Sequence, residues 1–118
     1  MAREPDPAAL FDVLADDYAR RMLAAADGSP KTAKALSDAC DASLSTIYRR
    51  LSMLDEHDLI DERTTIGPDG AHRREYETAL EGLAIDLADG EFQVTVETAD
   101  DLADSFTDLW TDLRDETP

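Results

Sequence analysis

The stretch TAKALSDACDASLSTIYRRLSMLDEHDLI, residues 32–60, decides the fold of this 118-residue chain. Its apolar residues recur at helical spacing in two runs, Ala35, Leu36 and Ala39, then Leu44, Ile47, Leu51 and Leu54, with Leu59 and Ile60 following. Residues 40–43, CDAS, favour a turn between the runs, and Thr32 and Ser43 are suited to cap the two helices. The pattern predicts a helix-turn-helix.

The second helix of this motif carries polar side chains off its predicted buried face. These are Ser45, Thr46, Tyr48, Arg49 and Ser52. Hydroxyls, a phenol and a guanidinium are groups that reach phosphates and base edges in a DNA major groove. We therefore predict a recognition helix, and we add Lys34 and Ser43 to its predicted DNA contacts.

Arg49 and Arg50 are neighbours on that helix, so their side chains diverge by about 100° and cannot both face DNA. Arg49 follows Ser45 and Thr46 and is the better candidate for a base contact. We expect Arg50 to reach a phosphate or to pair with Asp55 or Glu56. The alternative is that both arginines are ordinary solvated surface residues.

After Ile60 the period of the sequence changes from helical to alternating. Residues 61–67 and 72–79 are rich in Thr, Ile and Tyr and flank the tight-turn sequence Gly-Pro-Asp-Gly at 67–70. A β-hairpin directly after a recognition helix is a wing, and His72, Arg73 and Arg74 stand beside its tip with Arg63 opposite. The alternative is a charged hairpin with no role in DNA binding.

The residues before the motif predict a loose arm at 1–7, a short helix around Leu10 and Val13, and a second helix capped by Asp16 or Asp17. The sequence DGSP at 27–30 ends that helix. We predict an α+β, mainly helical fold, in which residues 8–80 form a winged helix-turn-helix DNA-binding domain and residues 81–118 an appended element.

The appended element begins with a second hairpin. Leu83, Ile85 and Leu87 alternate with small or acidic residues, a two-residue Asp-Gly turn follows at 89–90, and Phe92, Val94 and Val96 return. One face of this hairpin is apolar, so we expect it to pack against another part of the protein or a partner. Thr98 and Asp101 then predict a capped helix to about residue 114. Its apolar stripe, expected to form a dimer interface with a second subunit, is Leu102, Phe106, Leu109, Trp110 and Leu113.

The net charge of −17, from 28 acidic and 11 basic residues, is unusual for a DNA-binding chain. Residues 1–78 hold 16 acidic and 10 basic residues, whereas residues 79–118 hold 12 and 1. Any DNA-facing surface is therefore expected within residues 1–78.

The kinds of charged residue suggest a high-salt setting. Only Lys31 and Lys34 are lysines, and Asp outnumbers Glu. This composition is typical of proteins that work in molar salt, where the repulsion among acidic surface residues is screened. Regular apolar periodicity argues against the alternative, an acidic disordered chain. Bound cations such as K⁺ are plausible at this surface.

Other classes of function lack a signature. No phosphate-binding loop, catalytic triad or metal-ligand spacing occurs, so we predict no enzyme activity and no cofactor. Cys40 is expected to be a half-buried turn residue rather than a redox switch, and His57 and His72 have no spaced partner for a zinc site. Without a long apolar run or a signal peptide, we expect a cytoplasmic protein with no membrane partner.

Residues 11–79 resemble the ArsR-type winged-helix transcriptional regulators found in salt-loving archaea. The S-x-S-T-I-x-x-x-L-x-x-L pattern at 43–54 and the following D-L-I carry the resemblance. It implies that Ser45, Thr46 and Arg49 face DNA, that Arg73 and Arg74 lie on the wing, and that a homodimer binds a two-fold related operator. Metal-sensing members use paired cysteines or clustered histidines and acidic residues, whereas this chain has one cysteine and two well-separated histidines. The alternative function is a winged-helix protein-interaction module that binds no DNA.

Overall fold

The computed structural model of the protein describes residues 6–98. Within this range four helices precede four strands. They are α1 (Pro7–Ala15), α2 (Asp17–Ala25), α3 (Ala33–Cys40), α4 (Leu44–Glu56), β1 (Ile60–Ile66), β2 (His72–Thr78), β3 (Leu80–Ala88) and β4 (Glu91–Thr98). The fold is α+β, as predicted, but the expectation that it is mainly helical is wrong, because two complete hairpins follow the helices. The predicted C-terminal helix, with Leu102, Phe106, Leu109, Trp110 and Leu113, lies outside the described residues.

Each helix begins at a side chain that caps it. The acceptors Asp6, Asp16, Thr32 and Ser43 bind the backbone N–H groups of residues 8, 19, 35 and 46. These contacts satisfy donors that the first helical turn leaves unpaired. The predicted caps at Thr32 and Ser43 are confirmed, and of the two candidates for α2 it is Asp16 that caps. Pro7, which we had assigned to the arm, is the first residue of α1.

The core lies between the helices and the base of the hairpins. Its largest fully buried side chains are Leu10, Met22, Leu36, Ile47, Leu54 and Leu59. Two predicted core positions are wrong. Ala39 is exposed and Cys40 is buried instead, because Cys40 lies one helical turn beyond Leu36 on the same face. Leu44 is 45% exposed because the first turn of α4 projects beyond the core.

The wing is fixed to the helices by backbone hydrogen bonds that the sequence pattern did not predict. Lys31 and Tyr76 exchange two bonds, with N···O distances of 2.9 and 2.7 Å, so the segment before α3 pairs briefly with β2. Thr78 donates from its backbone N–H to the Ala26 carbonyl at 3.0 Å and from its hydroxyl to the Leu23 carbonyl at 2.7 Å. The orientation of the wing relative to α3 and α4 is therefore set by main-chain contacts.

Candidate nucleic-acid interface

One face of α4 is exposed while the opposite face is buried. Ser45, Arg49 and Ser52 follow one another at intervals of four and three residues and are all exposed, and Tyr48 beside them is 53% exposed. Thr46 is half-buried. Since Ile47, Leu51 and Leu54 anchor the other side, the polar stripe is held outward by the packing of the helix.

The first turn of α4 gathers three hydroxyl groups. The Ser43 hydroxyl accepts from the Thr46 N–H at 3.2 Å and donates to the Thr46 hydroxyl at 3.0 Å, while the Ser45 hydroxyl lies 3.2 Å away. The Ser43 hydroxyl thus both caps the helix and binds the neighbouring Thr46 hydroxyl. An anion at this helix start would also be favoured by the helix dipole.

A cleft of about 480 Å³ lies between α4 and the wing. Its lining combines the start of α3, the start of α4 and β2, and comprises Thr32, Ala33, Lys34, Leu44, Tyr48, Arg73, Arg74 and Tyr76. The fold therefore brings Lys34, Tyr48, Arg73 and Arg74 together from three elements. Leu44 belongs to the same surface, although the sequence pattern had assigned it to the core. His72 is exposed at the start of β2.

The wing arginines are paired with carboxylates of the same hairpin. Arg74 Nε lies 3.3 Å from Glu62 Oε1, Arg73 Nη2 lies 4.0 Å from Asp69 Oδ2, and Arg63 pairs with Glu77. The Arg73 and Arg74 pairs are well exposed, and pairs of this kind contribute only about 0–1 kcal/mol. A phosphate could replace these carboxylates at small cost. Within residues 6–98, Lys34 and Arg49 form no such pair, so their charges are directly available.

Arg50 has a different position from Arg49. Its Nε and Nη2 atoms both lie 3.0 Å from Asp16 Oδ2, and both side chains are about four-fifths buried, with 21% and 22% exposure. Arg50 pairs with an acidic residue as expected, but the partner is Asp16 rather than Asp55 or Glu56, because the guanidinium projects toward the start of α2 rather than along α4. Because Arg50 pairs with Asp16, its guanidinium does not lie on the exposed face of α4 that carries Arg49.

Tyr76 forms the floor of the cleft and is 7% exposed. Burial, followed by the negative charge of Glu62, raises the pKa of its phenol above the usual value. The group is therefore a neutral hydroxyl under ordinary conditions. No sequence signal distinguished it from the other wing residues, because its burial results from the pairing of β2 with Lys31.

Cys40 is more deeply buried than expected, at 2% exposure. Burial raises the pKa of its thiol, so the reactive thiolate is disfavoured. Among the described residues no group of three or more His, Cys, Asp and Glu side chains is arranged to hold a metal ion. In the same part of the chain, none of the helices has the length and apolar character that crossing a bilayer requires.

The geometry agrees with a comparison to known families. Residues 14–63 match a family model described as a helix-turn-helix domain. The matched range extends from the last turn of α1 into β1 and includes both helices of the motif. No curated protein matches the chain. The match and the packing of α3 against α4 support a helix-turn-helix DNA-binding regulator.

Proposed function

We propose that this protein is a sequence-specific transcriptional regulator that binds a two-fold related DNA operator as a homodimer. The observation that carries the proposal is the continuous surface formed by the exposed stripe of α4, the cleft and the wing. On this surface α4 would lie in the major groove, with Ser45, Thr46, Tyr48, Arg49 and Ser52 toward bases and phosphates. The residues beside it, Lys34, Ser43, His72, Arg73 and Arg74, would bind the sugar-phosphate backbone.

A single α4 helix can contact only a few base pairs, and a second copy would double the length of operator that is read. In a two-fold dimer the recognition helices would enter successive major grooves about 34–36 Å apart. The wings would then contact the backbone on either side. Arg50 is assigned a positioning role in this arrangement, because Asp16 already occupies its guanidinium.

The proposed setting is a cytoplasm with molar salt, and the proposed type is an ArsR-like regulator that does not use a metal as its signal. The net charge of −17 supports a cytoplasm with molar salt. At about 1 M salt the Debye length is only ~3 Å, so repulsion between the acidic surface and DNA acts over little more than contact distance. Potassium ions held between protein carboxylates and phosphates would reduce it further.

The test is selection of bound duplexes from a random-sequence pool in molar KCl, followed by sequencing. We expect enrichment of a palindromic motif whose half-sites are one helical turn apart. Arg49→Ala should lower the enrichment and relax the preference at one position of the motif, whereas the control Arg20→Ala should change neither, because Arg20 pairs with Asp17 on α2, outside the proposed surface. A flat profile for the wild-type chain at every salt concentration would favour the alternative, a winged-helix module that binds only protein.

A further inference from the structure

Leu44 is an exposed apolar residue in the first turn of α4, at the edge of the surface proposed to bind DNA. It is 45% exposed, and Tyr48, one helical turn further on, is 53% exposed. Residues four positions apart lie on the same face of a helix, so the two side chains are neighbours. Both line the cleft beside Arg73 and Arg74. An apolar pair therefore borders two guanidinium groups of the wing.

This pair lies between the polar stripe of α4 and the wing. Leu44 directly precedes Ser45, and successive residues of an α-helix diverge by about 100°, so the pair is rotated by that angle from the stripe that carries Arg49. The rotation is toward the wing, because the pair shares a cleft with the wing arginines. A DNA duplex that contacted both Arg49 and the wing would therefore cover Leu44.

The position of Leu44 within α4 indicates which part of the duplex it would contact. Ser43 caps the helix, and Leu44 is the first helical residue. When a helix enters a major groove, its N-terminal residues contact base edges. The side chain of leucine has no hydrogen-bonding group, and the apolar group that base pairs expose in a major groove is the C5-methyl of thymine. The chemistry of Leu44 therefore fits a thymine.

We propose that Leu44 is a specificity-determining residue that packs against the C5-methyl of one thymine in each half-site of the operator. Tyr48 would form the second side of the same apolar contact. The proposal rests on the DNA-binding function proposed above and names a base that this surface selects. Leu44 would select a T·A pair on the wing side of the base pair contacted by Arg49, whose guanidinium has the geometry to select guanine.

The contact would contribute to affinity in molar salt as well as in dilute buffer. Burying one methyl group changes an affinity by about fourfold, because it removes apolar surface from water. This contribution involves no release of counterions, whereas the affinity supplied by Arg73 and Arg74 falls as the salt concentration rises. Leu44 is therefore suited to supply base preference where charged contacts are weakened.

The test replaces each thymine of the selected operator, one at a time, by deoxyuridine, which lacks only the C5-methyl. Fluorescence anisotropy in molar KCl measures the affinity of the full chain for each duplex. For wild type we expect one replacement in each half-site to weaken binding by about fourfold. For Leu44→Ala the same replacement should have no effect. Since each protein is compared with itself on two duplexes, a change in its folded fraction cancels from the ratio.

Leu87→Ala is the matched control. Leu87 is 65% exposed on β3, outside the proposed DNA-binding surface, so this variant loses the same atoms and should keep the preference for thymine. For wild type the preference should also be the same at low salt, because an apolar contact is not screened. A preference that disappeared as the KCl concentration rose would overturn the proposal.

The outcomes separate this contact from the proposed function. The contact would be refuted, with operator binding intact, by a motif without thymine in each half-site, by a wild-type chain that tolerates every replacement, or by a Leu44→Ala chain that keeps the preference. A chain that selects no duplex at any salt concentration would overturn the proposed function and the contact with it.

Discussion

Asp16 and Arg50 are 34 positions apart in the chain, yet one carboxylate joins two helices. Asp16 Oδ1 accepts the Ala19 N–H at 2.9 Å and caps α2, while Oδ2 accepts both Nε and Nη2 of Arg50 on α4. The side chain beside Arg49, the candidate for a base contact, thus ties α4 to the start of α2. This contact helps to fix the position of α4 relative to α2.

Breaking this pair should reduce stability without removing a DNA contact. Asp16→Asn keeps a side chain that caps α2 but loses the charged bonds, and we expect a loss of about 1–2 kcal/mol in the free energy of unfolding. A double-mutant cycle with Arg50→Ala isolates the pair from the packing of the arginine stem. Urea unfolding of the four variants gives the coupling energy between Asp16 and Arg50. A coupling energy near zero would show that the pair does not contribute to stability.

The pair of Asp16 and Arg50 also predicts that the free energy of unfolding depends on pH. The hydrogen bond from Arg50 lowers the pKa of Asp16 below its unfolded value of 3.8. A depressed carboxyl pKa contributes stability that is fully present above the unfolded pKa and is lost as the pH falls through the folded one. The stability difference between wild type and Asp16→Asn should therefore be constant near neutrality and shrink below about pH 4. A difference that persisted unchanged in acid would contradict this assignment.

Arg49→Ala should weaken operator binding by about 1–3 kcal/mol and relax the preference at one base pair, because a bidentate arginine–guanine contact discriminates by that amount. Competition assays with single-base operator variants measure both effects. Uniform weakening on all sequences would reassign Arg49 to a phosphate. Arg50→Ala, compared at a temperature where both variants are folded, should leave the base preference unchanged.

Glu62→Gln should strengthen DNA binding. The substitution frees Arg74, whose Nε lies 3.3 Å from Glu62, and removes a negative charge from the wing. We expect a gain of about 0.3–1 kcal/mol at low salt, comparable to the worth of an exposed pair, and a smaller gain in molar KCl. Glu91→Gln is the control, since it removes the same charge from the second hairpin. Equal gains would indicate that only net charge matters.

The salt dependence of binding should be shallow or inverted. A protein that neutralises six phosphates normally shows a log–log slope of about −5, because counterions are released from DNA. Here the carboxylates of a chain with a net charge of −17 would take up cations at the interface and offset that release. Fluorescence anisotropy between low and molar KCl measures the slope. A steep fall in affinity with salt would refute the proposed adaptation.

Local rules predicted most of the fold. Helical spacing located α4, the Gly-Pro-Asp-Gly turn located the wing, and the Asp-Gly turn at 89–90 was confirmed, with both residues at positive φ of 54° and 79°. Capping chemistry placed Thr32 and Ser43 correctly, because a cap bonds to residues three positions away. Such interactions depend on neighbours in sequence and can be recognised without knowing the rest of the structure.

Errors occurred where the outcome depended on distant parts of the chain. Leu44 continues the apolar pattern of α4, but it lies at the cleft and is 45% exposed. The pattern of α4 offers Asp55 and Glu56 as partners for Arg50, whereas the partner in the fold is Asp16, which precedes α2. Burial and ion pairing of these residues are properties of the packed elements.

The sequence by itself determined the elements and the chemistry available on them: which residues form α4, where the hairpins turn, and that ten of the eleven lysines and arginines lie before residue 79. Periodicity, turn residues and charge are local quantities, so the linear chain carries them. Only the tertiary structure decided which of these groups meet. The pairing of Lys31 with Tyr76 places the wing beside α4, and the contact of Asp16 with Arg50 separates the two adjacent arginines. The packing of helices and strands produces both contacts, because it brings together residues that are dozens of positions apart in the chain.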